Sequence, residues 1–285
     1  MSKFKTIALI ARQHRTGVSE TLASVFHHLE EKKLNVIVEE NSAKLITELK
    51  TTTAPYHDLG KNADLIIVIG GDGSLLNAAK TAVLHDVPIL GINRGQLGFL
   101  TDINPDDATQ KIDEVLAGKF TEERRFFLEA THHGLALNDV VLLPGKDAAR
   151  LIEFDIYINK TFVCSQRSDG LIVSTPTGST AYALSGGGPI IHPRLEAIAL
   201  VPMLPHTLSM RPIVVSADSH IEIIIANDSE THPHISCDGQ PPAPISAGGK
   251  ITIQKSAKSL RLIHPSNYEY FHTLREKLHW STPLC

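Results

Sequence analysis

The chain has 285 residues, of which 42% are hydrophobic and 20% charged, and its formal net charge is −4. That composition fits a soluble protein of one large or two smaller domains. It lacks the concentrated positive charge that nucleic-acid and membrane-surface binders use. No stretch reaches about 18 continuous apolar residues, so nothing spans a bilayer, and "MSKFKTIALIARQHR" has no small-residue cleavage site, so a cytoplasmic protein is expected. In chain order, "KTIALIA" predicts a buried strand, and "VSETLASVFHHLEEKKL" a helix with Val18, Leu22, Val25, Phe26 and Leu29 on one face. "NVIVEE" predicts a strand, "SAKLITELK" a short helix, and "DLIIVIG" and "VPILGIN" wholly apolar strands. "PDDATQKIDEVLAGK" predicts a helix opened by proline and closed near glycine.

Apolar strands alternating with helices mean a parallel sheet covered on both faces. From about Arg124 the pattern changes. "RRFFLEATHH", "LALNDVVLL", "RLIEFDIYIN", "TFVCSQRSDGLIVST", "RPIVVSADSHIEIIIAN" and "KITIQKSAKSLRLIH" are closely spaced strand-like segments broken by Gly, Pro, Asn and Asp. The expected fold class is therefore an α/β N-terminal domain over residues 1–120 and an all-β sandwich over 121–265. "TGSTAYALSGGG" predicts one helix within the sandwich, and "NYEYFHTLREKLH" a tail helix, in 266–285, that packs back on the first domain.

Cys164, Cys237 and Cys285 are odd in number and far apart, which fits reduced thiols rather than a disulfide framework. The pairs His132/His133 and His232/His234 lack helical spacing and neighbouring cysteines, so no zinc site is expected.

Three stretches carry chemistry. The first is "IGGDGSLLNAAK", Ile69 to Lys80, at the carboxyl end of an apolar strand, where parallel sheets bind ligands. As a plain turn its glycines ease the backbone and Ser74 caps the next helix. The same geometry binds phosphate on helix amides, and Asp72 beside them can align a hydroxyl for attack on phosphorus. It is neither a Walker loop nor a G-x-G-x-x-G fingerprint. The second stretch is "RSDGLIVSTPTGSTAYALSGGGPI", Arg167 to Ile190, with six hydroxyl residues between Ser174 and Ser185. Hydroxyls and amides at a helix start suit ribose and phosphate, and Tyr182 offers a face for a base. The third is the polar pair Asn138–Asp139 opening "LNDVVL". Alone it would be a turn, as "DGQ" at Asp238–Gln240 is by default.

Taken together, "GGDGSLL", "GINRGQLGFLTDI", "NDVVL", "DGLIVSTPTGSTAYALSGGGPI", "PMLPHTLSMRPIVV" and "DGQ", over about residues 64–240, resemble the NAD kinase family in order and spacing. The resemblance implies phosphorylation of the adenosine ribose 2′-hydroxyl of NAD to NADP, with ATP or polyphosphate as donor. It also implies a divalent cation such as Mg²⁺ and a homo-oligomer, tetramer or dimer. By resemblance, Asp72 is the base or aligner for the hydroxyl, Gly73 a backbone contact, and Phe99 the aromatic along the adenine. Asn138 and Asp139 hold the nicotinamide ribose, the family often having Glu at the second position. Arg167 and Asp169 of "RSDG", and Thr177, Thr180, Ala181, Tyr182 and Ser185 of the hydroxyl-rich loop, fall on nucleotide-binding positions. Gln240 and Arg150 are further ligand-side matches, and Arg167 is implied to reach a neighbouring subunit's site. Gly186 stands where the family has alanine. A lipid or sugar kinase with a GGDG turn would lack "TPTGSTAYALSGGG", an NAD(P) sensor would not need Asp72, and a serine hydrolase would need a G-x-S-x-G elbow.

Overall fold

The structure, a computed structural model, describes residues 4–12, 17–95, 97–145, 151–227 and 232–280. In chain order the elements are β1 (Thr6–Ala11), α1 (Val18–Glu31), β2 (Asn35–Glu39), α2 (Glu40–Ala43), β3 (Thr52–Ala54), α3 (Leu59–Asn62), β4 (Leu65–Gly70), α4 (Asp72–Ala82), β5 (Ile89–Asn93) and α5 (Ala108–Leu116). Then come β6 (Phe120–Ala130), β7 (Gly134–Ala136), β8 (Asp139–Leu143), β9 (Ile152–Ile158), β10 (Thr161–Ser168), β11 (Gly170–Ser174) and α6 (Tyr182–Ser185). The chain continues through β12 (Ala197–Met203), β13 (Ile213–Ser216), β14 (Ile221–Ile225), β15 (His234–Cys237), β16 (Ala243–Pro244), β17 (Lys250–Pro265) and α7 (Tyr270–Leu278). It divides into two compact units, Met1–Arg124 with Leu260–Cys285, and Arg125–Ser259.

The first unit is a parallel sheet in the order β3-β2-β1-β4-β5, extended beyond β5 by Leu262 and Ile263 of β17. Every residue of β4 is buried, as a strand with helices on both faces requires. Helix α1 buries Val18, Leu22, Val25, Phe26 and Leu29 in the same core as Ile7, Leu9, Leu65, Ile67 and Ile69. Chain order reverses between β1 and β4, so the carboxyl ends of these two strands form the switch point at which such sheets take ligands. Gly70 and Gly71 end β4 there.

The helix expected over 42–50 is only the four-residue α2. Glu39 accepts hydrogen bonds from the amides of Asn41 and Ser42, and Ser42 Oγ is bonded to the backbone of Ala11. After that, isolated three-residue turns (Ile46 N–H to Ala43 O, Leu49 N–H to Ile46 O) carry Ile46 into the core.

The second unit is a sandwich of antiparallel strands. One sheet runs β10-β9-β14-β17, with β6 and β7 alongside; the other runs β13-β12-β11-β8-β15-β16. Phe154, Ile156, Ile223, Ile251 and Ile253 of the first sheet share a core with Val140, Leu142, Leu171, Val173 and Leu200 of the second. Strands β9 and β14 alternate buried and half-buried residues, the pattern of a sheet with one covered face. Strand β11 is buried throughout, because Ala183 and Ile191 of the hydroxyl-rich loop pack with Val141, Ile172, Ala199 and Val201 on the outer face.

Two segments that read as single strands are each divided between the sheets. Residues 161–175 split at Asp169 into β10 and β11, and 211–227 split between Ser216 and Ile221 into β13 and β14. Strand β12, "AIALVPM", was not anticipated; it lies centrally and is almost wholly buried.

Candidate active site

In the first unit the site is built on Asp72. Helix α4 starts at this residue, with Gly71 as its N-cap, so Ser74 lies within the first turn and does not cap it as expected. The Asp72 carboxylate accepts four hydrogen bonds from one turn: Phe99 N–H to Oδ2 at 2.9 Å, and Leu100 N–H, Thr101 N–H and Thr101 Oγ1–H to Oδ1, each at 3.1 Å. Gly98 makes this possible, since a Cβ there would lie 2.2 Å from Asp72 Oδ1. Oδ1 is saturated, whereas Oδ2 takes one of the two hydrogen bonds a carboxylate oxygen accepts. Gly73 is exposed, and the Arg12 guanidinium, just past β1, lies 3.7 Å from where its Cβ would be. Asp72, Gly73 and the half-buried Phe99 therefore come together at the switch point, with a cation and a helix N-terminus that suit phosphate.

The second unit repeats the device. Asp238 Oδ2 accepts from Leu137 N–H at 2.9 Å, and Oδ1 from the amides of Asn138 and Asp139 at 2.7 and 3.3 Å. Asp139 is buried, and burial together with the Asp238 carboxylate pushes its pKa from 3.8 up to about 7. Asn138 O in turn accepts from Thr175 N–H at 2.9 Å, and a Cβ on Gly178 would lie 2.1 Å from that oxygen. So Asn138, Asp139 and the start of the hydroxyl-rich loop form one cluster.

The hydroxyls of that loop, six on serine and threonine and one on Tyr182, divide into two groups. Ser174, Thr175 and Ser179 are fully buried and bond the backbone: Thr175 Oγ1 donates to Leu137 O at 2.5 Å, and Ser179 Oγ bridges Pro176 O and the Ile191 amide. Thr180 is half-buried, Ser185 and Tyr182 are exposed, and Thr177 Oγ1 lies 3.4 Å from Nη1 of the buried Arg125. The expected helix is two fragments, a 3₁₀ turn at Gly178–Thr180 and the four-residue α6, with Ala181 half-buried between them. The loop thus presents side chains rather than the aligned dipole of a long helix.

Other expected residues lie apart from this cluster or outside it. Arg167, on β10, is exposed and pairs through Nε with Glu153 at 2.7 Å. Asp169 is half-buried where the chain changes sheets, and its amide bonds Met203 O. Gln240 is exposed in the turn after Asp238. Arg150 lies outside the described residues. Arg12, Thr101 and Arg125 were not singled out, and Asp238 was read only as part of a hairpin turn. Its bracing role had a signal: an aspartate before glycine at a strand's end is suited to catching amides.

The fold defines a two-domain protein, an α/β unit and a β-sandwich, each with one carboxylate-braced turn. Residues 7–120 match the family described as the ATP-NAD kinase N-terminal domain, and residues 137–265 the ATP-NAD kinase C-terminal domain. The NAD kinase of Coxiella burnetii (strain RSA 493 / Nine Mile phase I) is 55% identical over 97% of this chain and 95% of its own length. That of Chromohalobacter salexigens is 52% identical over 100% and 99%. Among solved structures, yeast NADH kinase complexed with NADH superposes with a TM-score of 0.89 at 25% identity, covering 100% of this chain and 93% of its own. The Archaeoglobus fulgidus NAD kinase in complex with ATP gives 0.78 at 27%, covering 96% and 98%. The chain belongs to the ATP-NAD kinase family.

The raised pKa of Asp139 has a measurable consequence. Between about pH 4 and pH 7 the folded protein holds a proton on Asp139 that the unfolded chain releases, so this group lowers stability as pH rises through that window and contributes no further slope above it. Urea-derived unfolding free energies across this range should show the term in the wild type and lose it in Asp139→Asn. Identical pH slopes in the two proteins would remove the assignment.

Proposed function

We propose that the protein phosphorylates the 2′-hydroxyl of the adenosine ribose of NAD, giving NADP, with ATP or another phosphoryl donor. It is a phosphotransferase with an alcohol acceptor. The observation that carries the mechanism is the open acceptor position on Asp72 Oδ2, on a carboxylate already held by the turn 99–101. A carboxylate fixed on one side can orient a hydroxyl on the other and take its proton late. Phosphoryl transfer through a loose transition state needs little more than this alignment and charge neutralisation. The first turn of α4 and Arg12 face the phosphates, and Phe99 lies along the adenine. In the sandwich, Asn138 and Asp139 hold the nicotinamide ribose, while Thr177, Thr180, Ala181, Tyr182, Ser185 and Gln240 contact the rest of NAD.

A divalent cation enters this reading as part of the donor, carried on its phosphates with water, as Mg²⁺ commonly is. Bound there, it would neutralise phosphate charge. Cys164 and Cys237 form no disulfide, which suits the reducing cytoplasm, where we place the protein. We also assign it a homo-oligomeric state, supported by the exposed apolar side chains Leu204, Leu208, Ile213 and Val214 on the sandwich. Arg167, exposed and held by Glu153, is the residue we assign to a neighbouring subunit's site.

Asp72→Asn should lower kcat at least about a hundredfold with little change in NAD affinity, the scale of losing a general base; near-normal turnover in a folded variant would remove the role. An NAD analogue with 2′-deoxyadenosine, supplied with ATP and Mg²⁺, should inhibit competitively and yield no phosphorylated product. The missing hydroxyl should cost only about 1.5–3 kcal/mol of binding. A phosphorylated analogue detected by mass would show that Asp72 faces another hydroxyl. Light scattering at assay concentration should give a dimer or tetramer, and an active monomer would contradict the assembly.

A further inference from the structure

Thr101 anchors the Asp72 brace with both its amide and its hydroxyl. The next residue, Asp102, turns inward: its side chain is 5% exposed, and Oδ2 lies 2.8 Å from Nδ1 of His264 near the end of β17. A carboxylate can only accept, so the ring carries a proton on Nδ1 and donates it. The His264 side chain is 0% exposed, and its ring stacks on Tyr268 with centroids 3.8 Å apart and planes 8° from parallel. Nε2 lies 3.8 Å from Oε2 of Glu123 on β6, beyond hydrogen-bond distance. On the other side of the turn, Asn93 gives Nδ2–H to Thr101 O at 3.2 Å and its amide to Ile103 O at 2.8 Å.

Two observations single out the His264 bond as the tie on Asp102. Asp102 Oδ1 is buried and has no hydrogen-bond partner, so His264 supplies the hydrogen bond that compensates the carboxylate. A cavity of about 210 Å³ lies beside Asp102, Asn104 and Tyr268, so packing on that side of Asp102 is incomplete, while Ile103 next to it is anchored in the core. A buried ionic pair is also a weak source of stability, since apolar replacements often do as well. Its use here is positional.

We infer that His264 is a positioning residue for phosphoryl transfer: it fixes Asp102, and thereby the turn 99–101 that aims Asp72. The inference rests on the role given to Asp72 above. His264 touches neither substrate nor the reacting atoms, so its loss acts on the alignment of Asp72 and leaves NAD binding alone.

The test compares His264→Asn, whose amide nitrogen reaches the position of Nδ1, with His264→Gln, whose nitrogen reaches that of Nε2. Both lose the stacking on Tyr268, so only the bond to Asp102 separates them. In His264→Gln, kcat should fall by about 10- to 100-fold, the effect of a small misplacement of a reacting group, with KM for NAD and ATP unchanged. Amide hydrogen exchange at Phe99, Leu100 and Thr101 should quicken in step. His264→Asn should keep both close to wild type. Wild-type turnover in a folded His264→Gln protein, or an equal loss in His264→Asn, would overturn the inference. If His264→Gln does not fold, Asp102→Ala decides: quicker exchange at 99–101 with a fall in kcat supports the link, and wild-type values for both overturn it. Asp72→Asn run alongside separates the two readings, because full turnover in that variant would sink the role of Asp72 and not the link from His264 to the turn.

Discussion

One interaction recurs in each unit and everything near the site depends on it: a carboxylate that gathers three successive backbone amides. Asp72 takes those of residues 99–101, and Asp238 those of 137–139. Three consecutive N–H groups converge on one point only in a tightly folded segment, and the partial positive charge they concentrate favours an anion there. Hydrogen bonds to charged groups contribute about 1.5–3 kcal/mol each, against about 1–2 kcal/mol to order one residue's backbone. Each brace can therefore hold a segment that lies largely outside sheet and helix.

The hydroxyl-rich loop shows the same economy. Its buried serines and threonine replace secondary structure as partners for the backbone, and Ala183 and Ile191 fasten it to the outer face of the six-stranded sheet. With the loop so anchored, Thr180, Tyr182 and Ser185 remain at the surface. Polar and apolar residues in one short stretch thus have opposite tasks, and no simple alternation marks which is which.

The α/β unit was legible because its signal is local and strong. Wholly apolar strands and the Val18–Leu29 face admit few other structures, and the ligand end of the sheet follows from the order of strands. The short helix after β2 was not legible, since a tertiary bond from Ser42 to Ala11 ends it and nothing in "SAKLITELK" announces that partner. The division of residues 161–175 and 211–227 between two sheets was hidden for a similar reason: both halves of each segment are equally strand-like. At the site, Asp72 could be read from its glycines, but the turn that holds it lies 27 to 29 residues away. Asp238 is about 100 residues from its amides, and a pairing at that distance leaves no periodic trace.

Both bracing aspartates are followed by glycine, Asp72–Gly73 and Asp238–Gly239. Among aspartyl pairs, Asp–Gly is the one in which the following amide nitrogen most readily attacks the side-chain carbonyl carbon, closing a succinimide that reopens mainly to isoaspartate. Each carboxylate here is tied by hydrogen bonds to a distant turn, which restrains the side-chain rotation that ring closure needs, so the contacts that shape the site also slow this route of chemical ageing. An unfolded or newly made chain has no such protection. Isoaspartate at either position would move the carboxylate by one backbone bond, and the amides of the partner turn would lose their common acceptor.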